Sequence, residues 1–178
     1  MKRSYYLAFV LFIISGLYEK ASAQDALKPR PSPMYMTTMK FDETYVKITY
    51  GRPHKKGREI FGGLVPYGQV WRTGANEATE MTSTGDIHLN GNLLQKGTYS
   101  IFTIPEKNKW TIIINSALGQ WGAYEYDQNK DILRFDVPVE ILDITYEPFT
   151  IEFNQDNSNF TLDMLWDQVK ISIPVSFP

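Results

Sequence analysis

Cysteine is absent from this 178-residue chain, and histidine occurs only twice. Without thiolates the chain cannot form a disulfide framework, a cysteine zinc site, an iron–sulfur cluster or a thiol nucleophile. The two histidines, His54 and His88, lie in different segments and have no neighbouring ligand pattern. We therefore predict no metal site and no cofactor.

An excess of charge of either sign is also absent. The chain has 18 Lys and Arg residues against 20 Asp and Glu, and its formal net charge is -2. A basic surface of the kind that binds nucleic acid is therefore not predicted. The Gly-x-Ser-x-Gly and Ser-x-x-Lys motifs of serine hydrolases are absent as well, which removes the most recognisable nucleophiles.

The longest apolar run covers residues 5–17, and at about 13 residues it is shorter than the roughly 20 that a spanning helix needs. Lys2 and Arg3 precede this run, and the small residues Ala21, Ser22 and Ala23 follow it. This pattern predicts a secretory signal peptide over residues 1–23. We expect an exported, soluble protein that does not span a membrane after cleavage. An exported chain without cysteine favours the bacterial periplasm, with the extracellular space as the alternative.

The remaining chain has the length of one domain. Three prolines among polar residues predict an extended leader over residues 24–36. A single folded domain is then expected over residues 37–178.

A two-residue period dominates this predicted domain. Val46, Ile48 and Tyr50 alternate with polar residues, and Asn90-Gly91 stands between two apolar pairs as in a β-hairpin. Similar alternation recurs through the C-terminal third. About nine short strands without a long helical period predict an all-β fold, a single antiparallel β-sandwich, jelly-roll-like or related, with long irregular loops. One short helical turn is expected within residues 125–131.

A basic cluster opens the longest segment that breaks this period, residues 51–77. Arg52, Lys56 and Arg58 stand close together in a chain with a slight acidic excess. Guanidinium groups bind carboxylates, sulfate and phosphate through paired hydrogen bonds, so the cluster is a candidate anion site. The alternative is that Lys55 and Lys56 are solvated and the two arginines pair with carboxylates of the chain itself.

The same segment continues with Trp71, Arg72, Asn76 and Glu77. An indole, a guanidinium, an amide and a carboxylate so close together can stack on a ring and hydrogen-bond its polar edge. The alternative is a structural ion pair between Arg72 and Glu77, with Trp71 in the core.

A second aperiodic segment is rich in aromatic residues and glycine. Trp121, Tyr124 and Tyr126 lie within six residues of one another, with Gly119 and Gly122 between or beside them. Exposed aromatic residues suit a ligand platform, whereas buried ones would close the open end of a sandwich. Both interpretations are kept, and Trp121 is named as a candidate binding residue.

These segments resemble the secreted bacterial domain-of-unknown-function family 2911, found largely in Bacteroidetes. The resemblance rests on Tyr50-Gly51-Arg52-Pro53, on Val70-Trp71-Arg72-Thr73-Gly74-Ala75-Asn76-Glu77 and on Gly97-Thr98-Tyr99-Ser100, and it extends through Trp121-Gly122 to Trp166. It implies a periplasmic or exported single domain, and no established activity to assign to these residues.

The leading hypothesis is a non-catalytic binding or accessory module of the bacterial envelope for a small polar or anionic ligand. One alternative is a hydrolase acting on envelope glycan through Glu77 and a second carboxylate. Another is a purely structural module without a ligand. No catalytic residue and no oligomeric state are assigned. The candidate binding residues are Arg52, Lys56, Arg58, Trp71, Arg72, Asn76, Glu77 and Trp121.

Overall fold

The computed structural model describes residues 29–157 and 159–178, and these form nine strands. The predicted signal peptide and most of the predicted leader lie outside the described residues. The strands are β1 (Met34–Phe41), β2 (Thr44–Gly51), β3 (Thr79–Ser83), β4 (Ile87–Leu89), β5 (Asn92–Leu94), β6 (Gly97–Pro105), β7 (Lys109–Asn115), β8 (Asp131–Asp156) and β9 (Asn159–Ser176). A 3-10 turn, Gln128–Lys130, lies where a helical turn was expected. Within the described residues, no helix has the length and apolar character needed to cross a bilayer.

All strand pairings are antiparallel, in the order β1-β2-β3-β6-β7-β8-β9-β4-β5. The predicted all-β antiparallel class is therefore confirmed. Hydrogen bonds join the nine strands into one open sheet, so two separate sheets of a sandwich are not confirmed.

Strand β8 connects the two halves of this sheet because it changes partner along its length. It pairs with β7 as far as Pro138 and with β9 from Val139 onward. The register with β9 shifts on either side of Tyr146, which marks irregularities where the strand can bend. The hydrogen-bond ladder resumes after each irregularity, so β8 and β9 are longer than the short strands that their interrupted alternation predicts.

One apolar core is shared by both halves of the sheet. Val46, Ile48 and Tyr50 of β2 are at most 2% exposed, as their alternation predicts. They belong to the same cluster as Phe149 of β8 and Trp166 of β9. Packing across this core therefore holds the two halves together, and hydrogen bonds such as that from the Ile151 N–H to the Tyr50 hydroxyl add to it.

The predicted Asn-Gly hairpin is present between β4 and β5. Asn90 and Gly91 have φ values of 49° and 77°, the left-handed pair that a type I′ turn requires. At the other edge of the sheet, β1 begins at Met34, three residues before the predicted start of the domain. Its side chains are mostly exposed, so burial left no clear alternation in this part of the sequence.

Candidate functional site

The long loop between β2 and β3 is fixed to strand β6 at Trp71. The backbone groups of Trp71 and Thr103 exchange two hydrogen bonds, 2.7 and 2.9 Å long. Two residues further on, the Thr73 hydroxyl bonds to the Thr103 hydroxyl at 3.1 Å. The segment that breaks the strand period is therefore held in place by the sheet and does not behave as an independent linker.

The Trp71 indole packs within an aromatic cluster beneath this loop. It is stacked on Trp166, with centroids 6.0 Å apart and ring planes 16° apart, and it contacts Phe61, Trp110 and Phe149 edge to face. Its Nε1 donates to the Gly74 carbonyl at 3.1 Å. Contacts with these four rings cover much of the indole, and the side chain as a whole is half-buried.

A pocket of about 550 Å³ lies above this cluster. It brings together four of the eight predicted binding residues, Arg58, Trp71, Arg72 and Asn76. Sequence reasoning did not select three further lining residues, Gln69, Tyr124 and Trp166. Among the described residues that line the pocket, none is an aspartate or a glutamate.

Of the two arginines that line this pocket, Arg72 forms fewer hydrogen bonds within the described residues. Its Nε donates to the Gly74 carbonyl at 3.3 Å, while no described residue forms a hydrogen bond or ion pair with its two terminal nitrogens. Arg72 is half-buried, and neither nitrogen is a sealed, unsatisfied atom. The fork of this guanidinium is therefore accessible from the pocket.

Arg58 and Asn76 are oriented by backbone oxygens. The Arg58 guanidinium donates to the carbonyls of His54 and Lys55, and the Asn76 amide donates to the Ser32 carbonyl at 3.0 Å. Each side chain keeps a further polar atom that bonds to no other described residue, Nη1 of Arg58 and Oδ1 of Asn76. These atoms add a donor and an acceptor to the pocket.

Two other members of the basic cluster lie outside this pocket. Arg52 stacks on the Tyr35 ring, with its guanidinium carbon 4.4 Å from the centroid, and donates to the Thr150 hydroxyl at 3.1 Å. The Lys56 side chain is exposed, and its backbone N–H donates to the Glu147 carboxylate. The cluster is contiguous in sequence but its side chains diverge, because a cation–π contact directs Arg52 toward β1.

Glu77 and Trp121 are joined by an isolated β-bridge, and neither lines the large pocket. Trp121 is 57% exposed. Glu77 lines a separate pocket of about 190 Å³ together with Glu80, whose carboxylate accepts a hydrogen bond from the Gly119 N–H. The smaller pocket is where the hydrolase alternative would have to place its two carboxylates.

The acidic residues after Trp121 form a structural network. The Asp131 carboxylate accepts hydrogen bonds from Asn115, Tyr126 and Arg134 at 2.7–3.0 Å, and Asp127 caps the 3-10 turn. Burial and the hydrogen bond to Asp131 raise the pKa of Tyr126 to about 12, although Arg134 acts in the opposite direction. These groups fix the loop beside the pocket.

No cluster of three or more His, Asp or Glu residues within the described ranges is arranged to hold a metal ion. The large pocket is lined by arginine and amide side chains, with Trp71 and Trp166 among its aromatic residues.

Comparison with known proteins identifies a family. A family model described as a protein of unknown function (DUF2911) matches residues 32–175, and every residue that lines the large pocket falls within this range. No curated protein and no solved structure matches the chain.

Proposed function

We propose that this chain, which belongs to the DUF2911 family of proteins of unknown function, is a non-catalytic binding module for a small anionic ligand. The observation that carries the proposal is Arg72, a half-buried guanidinium whose terminal nitrogens open into a 550 Å³ pocket without a partner among the described residues. The signal-like N-terminus supports a location in the bacterial envelope.

The charge of the pocket favours an anion. Arg58 and Arg72 both line it, and no lining carboxylate among the described residues offsets them. Guanidinium groups hydrogen-bond carboxylates and phosphates in a forked geometry, and such charge-assisted bonds are stronger than neutral ones.

The size of the pocket favours a small molecule. Ligand sites commonly enclose about 300–1,000 Å³, and 550 Å³ falls within this range. The pocket of Glu77 and Glu80, at about 190 Å³, falls below it. A binding function at the larger pocket is therefore better supported than glycan hydrolysis at the smaller one.

Thermal unfolding in the presence of anions tests the proposal. Sulfate, phosphate, citrate and sugar acids are added to wild type, to Arg72→Ala and to Lys130→Ala, which removes an exposed positive charge that does not line the pocket. A ligand that binds the folded state raises the melting temperature. We expect a stabilising anion for wild type and Lys130→Ala, and a loss of about tenfold or more in affinity for Arg72→Ala.

The proposal fails if no anion stabilises wild type, or if Arg72→Ala binds as tightly as wild type. Release of reducing sugar from envelope glycan that Glu77→Gln abolishes would support the hydrolase instead. Lower stability of Arg72→Ala without any ligand effect would support the structural module.

A further inference from the structure

The pocket presents an aromatic ring beside Arg72, whose terminal nitrogens form no hydrogen bond or ion pair with the described residues. Tyr124 is 83% exposed, which is unusual for a side chain that contributes to packing, and it lines the same pocket as Arg72. An exposed tyrosine ring offers a rigid apolar face at little conformational cost. The two groups come from different loops, since Arg72 follows β2 and Tyr124 follows β7.

Both groups lie close to Gly122. Its φ of +74° lies in the left-handed region, and a Cβ atom there would be 2.8 Å from Cε2 of Tyr124 and 3.1 Å from Nη1 of Arg72. A side chain at this position would have to displace the ring, the guanidinium or both. A ligand that contacts both would carry an anionic group next to an apolar face, as an acidic ring compound does.

The polar groups around Arg72 and Tyr124 would suit a ligand whose ring carries hydroxyl groups. The Asn76 amide keeps Oδ1 as a free acceptor among the described residues, and the exposed Gln69 lines the same pocket. Amides hydrogen-bond hydroxyl groups as donors and as acceptors. The C–H face of a sugar ring packs on an aromatic side chain while its hydroxyls reach such amides.

We infer that the ligand is an acidic sugar, a pyranose ring bearing a carboxylate, with the carboxylate on Arg72 and the ring against Tyr124. This inference rests on the proposed anion-binding function and narrows its ligand class. Tyr124 is then the residue that distinguishes a ring-bearing anion from other anions.

Isothermal titration with matched compounds tests the inference. The probes are glucuronate and galacturonate, their open-chain reduced acids, the neutral sugars glucose and galactose, and benzoate as an aromatic carboxylate. We expect one uronate to bind wild type at least about tenfold more tightly than its open-chain acid and its neutral sugar. Tyr124→Ala should remove this advantage and leave the open-chain acid unchanged. Tyr124→Phe should keep it, and Arg72→Ala should weaken both acids.

The outcomes separate the two proposals. Equal binding of the uronates and their open-chain acids, both lost in Arg72→Ala, would overturn the acidic sugar and leave the anion site standing. Tighter binding of benzoate, or equal binding of the neutral sugars, would overturn it as well. Failure of every acid, including sulfate and phosphate in the thermal assay, would overturn both.

Discussion

The hydroxyl group of Tyr50 on β2 bonds to both backbone groups of Ile151 on β8. It accepts from the Ile151 N–H at 3.0 Å and lies 3.5 Å from the Ile151 carbonyl, to which it donates. The two residues are 101 positions apart, and Tyr50 is 2% exposed. These two hydrogen bonds give partners to the backbone N–H and carbonyl of Ile151. Burial raises the pKa of the Tyr50 phenol above its usual 10.0.

Tyr50→Phe should lower the free energy of unfolding by about 1–3 kcal/mol, because it leaves two buried backbone groups without a partner. The ring contact with Phe149 should survive, since only the hydroxyl is lost. Urea denaturation followed by circular dichroism measures the change. Tyr124→Phe, at an 83% exposed position, is the matched control and should change stability by less than about 0.5 kcal/mol. Equal effects in the two variants would contradict the assigned role.

Trp71→Ala should destabilise the fold by about 3–5 kcal/mol, because it removes an indole that contacts four other aromatic rings. Trp121→Ala removes the same side chain at a 57% exposed position, and we expect a change of about 0.5 kcal/mol or less. Both are measured by urea denaturation with far-ultraviolet circular dichroism, which does not depend on tryptophan fluorescence. A small loss for Trp71→Ala would show that this indole is not part of the core.

Lys170→Met should lower the free energy of unfolding by about 3 kcal/mol, because it leaves the Asp163 carboxylate without its ion-pair partner. The Lys170 ammonium lies 3.1 Å from this carboxylate, whose side chain is only 3% exposed. Burial alone would lower the pKa of Lys170, but the hydrogen bond and charge of Asp163 raise it overall. Lys109→Met breaks the Lys109–Asp136 pair, in which both side chains are about half exposed, so water screens the loss. Chemical denaturation of both variants compares them. A larger loss for Lys109→Met would contradict the importance of the buried carboxylate.

Alkaline stability should depend on Tyr126. Its pKa is about 12 in the folded chain against 10.0 for an unperturbed phenol, so the unfolded state ionises first as pH rises. The contribution of Tyr126 is therefore complete below pH 10 and is lost between about pH 10 and 12. Tyr126→Phe should show a shallower fall of unfolding free energy over this window. Part of the fall should remain, because the pKa of Tyr50 is also raised. Parallel curves for wild type and variant would refute the assignment.

Local patterns predicted the elements in which burial alternates cleanly. Val46, Ile48 and Tyr50 are buried as their spacing requires, and Asn90-Gly91 forms its turn because both positions need positive φ. Strand β1 was harder to predict, because its side chains are mostly exposed and no apolar face marks it in the sequence. In the first half of β8, Leu133, Phe135 and Val137 alternate with exposed residues and pack on the core, a period that the sequence-based prediction did not use.

The candidate site was predictable as a segment but not as a set of side chains. Arg58, Trp71, Arg72 and Asn76 reach one pocket, whereas Arg52, only six positions before Arg58, turns to the Tyr35 ring. Tyr124 was visible only as one aromatic residue among three in its loop. Its proximity to Arg72 depends on how the loop after β7 lies against the loop after β2, and this arrangement is not encoded in any local pattern.

Local sequence features were enough to predict the antiparallel strand class, the Asn-Gly hairpin, the family and the loop in which the polar residues concentrate, because each depends on local periodicity, turn geometry or a contiguous motif. The folded chain was needed to show that Trp71 belongs mainly to the core and that Arg72 opens into a pocket beside Tyr124. It was also needed to show that β8 joins the two halves of the sheet. These outcomes depend on contacts between residues far apart in the chain, and on competition among aromatic side chains for one core in a protein without disulfides.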